Sequence, residues 1–369
     1  MRFFIVILSL VIISAGCKKK TTNPEDVRDD FNRSELLSDL AMLIEESQVE
    51  YNSQLSSLKD ATTSFTNDPS MTRLENVRAH WSTALLKWQA VAPYEFGEAS
   101  NMAFEASTNI YPVDVNIIQA NIDSGDYNLS SAANLKGIGL QAMDYMIHGL
   151  AESDDEILNL YSTDSKAEAR KEYLNNIASK LYDMSDQVLN SWLPNAQSRV
   201  AFVDNDGTDQ GSSIGLFLNS FNKSYEKSTR TNKIGIPSGA LTFSMNPNPH
   251  TVEAYYENNN SLSYLSASID AFENIYLGSD MGTSSLQDYL FFLDARYGDT
   301  TLDAAILNSI EDVRNQISLM DNPLSDSVVN DQQVALDAFA SMQNLVVLWK
   351  VDMMSAMGIL VTYQDNDGD

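Results

Sequence analysis

Apolar side chains recur at three- and four-residue spacing along most of this chain, the pattern of helices with one buried face. Over residues 32–66 the positions Leu36, Leu37, Leu40, Leu43, Tyr51, Leu55 and Leu58 keep that spacing. Asn32 and Glu35 have the form of a capping box, so one long helix is predicted there. Asp68 and Pro69 supply a cap and a first-turn proline for a second helix carrying Leu74, Val77, Trp81, Leu85 and Trp88, which must stop before Pro93. Residues 99–134 lose the period and fill with Asn, Ser and Asp, which predicts a long crossover with short turns. Helices over 134–150 and 165–193 then complete a first bundle. Further helical patterns over 212–231, 261–277, 284–297, 302–320 and 325–360 predict a second. The reading is all-α, with helical bundles over 32–195 and 196–369 packed side by side.

One predicted helix departs from the one-faced pattern. From Gly137 to Gly149 the chain is apolar at nearly every helical angle except a single stripe that holds Gln141, Asp144 and His148. A carboxylate and an imidazole on a buried helix must be paired, bound to a ligand or shifted in pKa, because low dielectric penalises them bare. Two readings follow, a polar network tying core helices together or a ligand site. Glu95 and Glu253 are likewise acids set among aromatic and apolar neighbours, and His250 with Glu253 makes a local His-x-x-Glu that shares a face if Pro249 opens a helix. The Asp-rich stretch from Val203 to Gly211 suggests calcium, but a loop aligned on Gly207 lacks acids at Phe202 and Ser213, so it is read as a turn between the halves.

Charge and the N-terminus narrow the function classes. A net charge of -28 excludes nucleic acid as a partner, since phosphate binding needs clustered Lys and Arg. Met1 to Gly16 reads as a signal peptide that leads into the sole cysteine, Cys17, in the manner of a lipoprotein, with residues 18–31 as a flexible tether. The expected location is exported and membrane-anchored through a lipid on Cys17, on the periplasmic or cell-surface face of the outer membrane. With no second cysteine, stability must come from packing and not from internal disulfides. No later run reads as long and apolar enough to span a bilayer.

These residues carry a family resemblance. Gly139, Gln141 and Asp144 resemble the Gly-x-His-x-x-Glu signature of imelysin-like proteins, once classed as M75 peptidases, with Gln in place of the His and Asp in place of the Glu. Pro112 and Asp114, the Lys233-Ile234-Gly235-Ile236-Pro237 run, Val252-Glu253 before Tyr255-Tyr256, the helix ending Tyr276-Leu277-Gly278 and the Asp-rich terminus resemble further family elements in the same order. The resemblance implies two helical bundles and a link to bacterial iron uptake, with iron or haem uptake proteins as partners. Under this reading Glu95, Asp114, Gln141, Asp144, His148 and Glu253 form a ligand site between the halves, with Asp144, Glu253 and Glu95 as candidate metal ligands. Several carboxylates in one pocket repel unless a cation or protons intervene, so iron or another divalent or trivalent cation is the expected ligand. A metallopeptidase needs a metal, an open coordination position and a base, and Gln141 removes its best ligand. The expectation is therefore a non-catalytic binding protein, with a peptidase or a structural surface module as alternatives.

Overall fold

The computed structural model describes residues 30–279 and 281–363. The expected signal peptide, Cys17, most of the tether and the acidic ending at 365–369 lie outside the described residues. Helix α1 (Arg33–Asn67) follows the apolar spacing, and Asn32 caps it by accepting from the Glu35 N–H at 3.2 Å. Glu35 reaches back to the Asn32 side-chain amide at 2.9 Å and not to its backbone. Helix α2 (Met71–Val91) starts after Ser70, so Pro69 precedes the cap and does not sit in the first turn.

The crossover is more ordered than its composition predicts. It holds one-turn helices at Glu98–Asn101 and Phe104–Thr108, then α3 (Val115–Ser124), capped by Asp114 and ended by Gly125 at φ 64°. The polar stripe lies on the short α4 (Gly139–Asp144), which continues as a π turn, Tyr145–Gly149. Next come α5 (Asp154–Ser162), held by a full capping box between Ser153 and Glu156, and α6 (Ala167–Trp192). Helices α2 and α6 both pack along α1. Trp88 lies 5.6 Å from the Tyr51 ring and 5.4 Å from that of Phe104, filling the seam with aromatic area.

After α7 (Gln197–Asp204), helix α8 (Ser213–Lys223) runs into a long π-wound stretch, Ser224–Gly235. Helix α9 (Ser261–Leu277) ends at Gly278, whose φ of 85° suits only glycine comfortably. Helix α10 (Leu286–Phe292), a two-residue hairpin pairing Arg296 with Thr301, and α11 (Leu302–Ile317) follow. The long last helix predicted over 325–360 is divided into α12 (Leu324–Asn330), α13 (Gln332–Val346), a π-wound Val347–Met353 and a final turn.

Trp349 centres the second half, 5.0 Å from Phe221 and 4.8 Å from Tyr225. The span Gln332–Met357 is, against expectation, long and apolar enough to cross a membrane by length and composition. It packs instead on α11 and on the 224–235 stretch, and it carries Lys350 paired with Glu226 at 2.8 Å. The halves meet mainly through α2 against α9, where the Ser82 and Tyr264 hydroxyls lie 2.8 Å apart. The fold is all-α, as the spacing predicts.

Replacing Trp88 by Ala removes a buried ring that two aromatic neighbours pack against. Urea denaturation is expected to show a loss of about 3–5 kcal/mol.

Candidate functional site

Gly139 opens α4 at φ 81°, and a Cβ there would lie 2.4 Å from the Thr108 carbonyl oxygen. Glycine therefore lets α4 press against the 104–108 turn. That contact places Gln141 and Asp144, 3% and 1% exposed, where the two halves touch. The Gln141 amide bridges them, with Nε2 donating to Asn109 Oδ1 and Oε1 accepting from the Ala254 N–H, both at 2.9 Å. Ala254 is held at φ 58°, a left-handed conformation costly for a residue with a Cβ, so this bond secures a strained turn.

Asp144 is satisfied from the same segment. One oxygen accepts from the Tyr256 N–H at 3.0 Å, and the other from the Glu257 N–H at 2.9 Å and from His148 Nδ1 at 3.0 Å. Burial pushes its carboxyl above the ordinary value, while His148 and the two backbone N–H groups pull it back down. The π turn sets His148 over Asp144, with its ring 5.2 Å from Trp81 and edge-on to it. Gly149 allows the close approach of Tyr256, since a Cβ there would sit 2.3 Å from the tyrosine ring.

Glu253 is 2% exposed and forms a buried ion pair with Lys233 Nζ. It also accepts from Asn109 Nδ2 at 2.7 Å and from Gln89 Nε2 at 3.4 Å, and Gln89 in turn accepts from Ser268 Oγ at 2.8 Å. Asn109 thus joins the Gln141 and Glu253 clusters into one network. Burial lowers the Lys233 ammonium from its usual range, and the Glu253 charge opposes that shift. Glu253, expected to call for an external cation, meets an internal one. That positive charge comes from the chain, from Lys233 in the Lys233–Pro237 run, which the sequence alone did not place among the site residues.

The remaining candidates stand apart. Glu95 accepts from the Glu105 N–H at 3.0 Å, and burial followed by repulsion from Glu105 pushes its carboxyl up to about 7. Asp114 accepts from the Asn116 N–H at 3.0 Å as the cap of α3. Pro249–Thr251 is a single 3-10 turn and Val252 is extended, so His250 is exposed, away from buried Glu253, with its ring 4.9 Å from that of Tyr255. Glu95, Asp144 and Glu253 therefore do not form one donor set. Among the described residues, no group of three or more His, Cys, Asp or Glu side chains is placed to hold a metal ion. In the 203–211 stretch Asp209 accepts from the Gly211 N–H at 3.0 Å, as an Asx turn does.

A groove of about 240 Å³ opens over this junction, lined by Tyr111, Pro112, Gln141, Asp144, His250, Tyr255 and Tyr256 among others. A second, much smaller cavity of about 20 Å³ lies beside Lys233, Glu105 and Asn109, with room for little more than one water. The aromatic wall was legible as the Tyr255-Tyr256 pair. Gln89 carries no local signal beyond being a polar residue on an apolar helix face, and Asn109 and Lys233 lie in polar stretches where nothing sets them apart.

The profile of the imelysin family, M75 peptidases, matches residues 47–347. A solved structure from Parabacteroides distasonis ATCC 8503, provisionally named an iron-regulated protein A precursor, is 18% identical, with a TM-score of 0.68 over 88% of this chain and 95% of that one. An imelysin-like protein from Psychrobacter arcticus 273-4 is 16% identical, with a TM-score of 0.66 over 93% of this chain and 98% of that one. These two share the fold. Among curated proteins no match is found.

Lys233→Met strands a buried carboxylate and is expected to cost about 3–5 kcal/mol in urea denaturation, most of which the double change Lys233→Met with Glu253→Gln restores. A carboxyl whose folded pKa is raised stabilises below its unfolded value and loses that contribution as pH rises through the folded one. Glu95 thus weakens the fold between about 4.5 and about 7. Glu95→Gln is expected to be more stable than the parent at pH 8, by on the order of 1–3 kcal/mol, with the difference vanishing near pH 4.

Proposed function

Because the chain belongs to the imelysin family of M75 peptidases, matched over residues 47–347, we propose that it is an exported, lipid-tethered protein of iron acquisition that binds and does not cleave peptides. The observation that carries the reading is that both oxygens of Asp144, both oxygens of Glu253 and both ends of the Gln141 amide are committed to donors and acceptors of the chain itself. A metallopeptidase needs a metal with an open position and a base to activate water, and this junction offers neither from its buried acids. The solved relative provisionally named as iron-regulated supports iron as the element concerned. The start of the chain, from the apolar run to Cys17, supports export and anchoring.

The ligand site in this reading is the groove walled by Tyr111, Tyr255 and Tyr256 with His250 at its edge. Such a wall suits a ligand with a planar or apolar part and hydrogen-bonding groups, so iron enters as the cargo of a complex, haem or another chelate, and not as a bare ion. Calorimetry on the full chain with haem, ferric citrate, zinc and calcium tests this. One of the two iron complexes is expected to bind, and Tyr256→Ala to weaken it by about 30-fold. Binding of none of them would leave the polar junction as internal architecture and favour the structural surface module. Chelator-sensitive cleavage of denatured casein would restore the peptidase.

A further inference from the structure

Residues 237–248 form a compact loop whose ends meet, with the Asn248 N–H donating to the Pro237 carbonyl at 2.7 Å. Within it the Thr242 N–H donates to the Gly239 carbonyl at 3.1 Å and the Met245 N–H to the Thr242 carbonyl at 3.0 Å. Gly239 sits at φ 79°, and a Cβ there would lie 2.4 Å from the Asn246 carbonyl oxygen, so the loop closes in this form only on glycine. Gln332, at the start of α13, donates to the Ser238 carbonyl at 2.8 Å and to the Met245 carbonyl, fastening the loop to the second half.

What this ordered loop presents outward is apolar. Leu241 is 41% exposed, Met245 51%, and Phe243 109%, so that none of the described residues covers its ring. Single exposed apolar residues are ordinary, but three on one hydrogen-bonded tip are not. The tip is also free of charge. From Ile234 to Val252 there is no Asp, Glu, Lys or Arg, in a chain whose net charge is -28. The other tip residues are Pro, Gly, Ala and the uncharged polar Ser, Thr and Asn, whose hydroxyl and amide groups suit the headgroup layer of a membrane. An acidic protein is repelled by an anionic lipid surface, and a charge-free protrusion is where it can approach one.

The occupant is chosen by the start of the chain. With a lipid on Cys17, residues 18–29 reach at most about 40 Å, so the folded body stays beside a bilayer. We propose that residues 237–248 are a membrane-inserting loop that seats Leu241, Phe243 and Met245 in the interfacial layer of a lipid bilayer. For its occupant the inference rests on the lipid-tethered reading above. The loop leads directly into His250 and the Val252–Tyr256 wall, so its insertion holds the groove close to the lipid surface.

The test uses the mature-length chain from residue 18 onward, free of signal peptide and lipid, carrying Phe243→Cys labelled with nitrobenzoxadiazole as its sole thiol. Vesicles of phosphatidylethanolamine with phosphatidylglycerol, and of phosphatidylcholine alone, are expected to shift the emission to the blue, and about 0.5 M salt to leave the shift in place because no ion pairing is involved. In vesicle flotation of the chain from residue 18 onward, the triple change Leu241→Ser, Phe243→Ser and Met245→Ser is expected to lower binding about tenfold or more, while the variant melts like its parent. An unshifted probe on both kinds of vesicle overturns the proposal. So does a lipid-free dimer, seen by sedimentation, that the triple change dissolves, which would make a second copy the occupant. Palmitate incorporation into the parent chain but not into its Cys17→Ser variant tests the tether separately, and its failure would remove that reading while the probe result stands.

Discussion

A carboxylate taken out of water must be met by a positive charge or by several donors, and Glu253 is met by both. The cost of desolvating two ions is recovered only when geometry is good and the remaining oxygen positions are filled. Lys233 brings the charge from the π-wound stretch after α8, Asn109 a donor from the crossover and Gln89 a weaker one from α2. Three separate pieces of chain are thus located relative to the 252–257 segment by one side chain. Asn109 uses its carbonyl for Gln141 and its amide for Glu253, so the α4 cluster and the Lys233 cluster cannot shift independently. The junction between the halves is specified here more than by the apolar contact of α2 with α9, which tolerates sliding better than a hydrogen-bonded network does.

The wide π windings share a role. Tyr145–Gly149 carries His148 to Asp144, Ser224–Gly235 carries Lys233 to Glu253, and Val347–Met353 carries Lys350 to Glu226. In each case the stretch that leaves regular α geometry brings in the basic partner of a buried acid. Widening a turn rotates the following side chains around the helix, so a position that would face outward in a regular helix is turned toward the interior. Such interruptions are costly for a helix and persist where a specific side chain must be aimed.

How far the sequence revealed this depends on what each element is made of. Helix α9 runs over Ser261–Leu277 as its apolar spacing and the following Gly278 require, and α1 follows from its long apolar face. Helix α3 has only Ile118, Asn121 and Ile122 buried, too few for a period to stand out, and α5 is short, although its Ser153–Glu156 box was present to be read. The stripe of Gln141, Asp144 and His148 was visible because those polar residues interrupt an apolar run. Its partners were not, since the Ala254, Tyr256 and Glu257 backbone groups have no side-chain signature, and neither was the partner of Glu253, since Lys233 lies in a turn-like context. The glutamine in place of the family histidine makes physical sense only in three dimensions. Asn109 needs a donor and the Ala254 N–H an acceptor, and one amide provides both.

Lys233 and Glu253 stand at the two ends of the charge-free segment that holds the apolar tip and His250 at the edge of the groove, and their pairing ties that segment into a closed ring of chain, with Tyr255 and Tyr256 just beyond the clasp. The entropy of closing such a ring is lost once, at the clasp, and not separately for each part within it. The tip and the groove's His250 edge therefore belong to one cooperative unit of local opening, fastened or released together. Any contact that steadies the tip biases that opening equilibrium, and the groove feels it without a single atom of the contact reaching its walls.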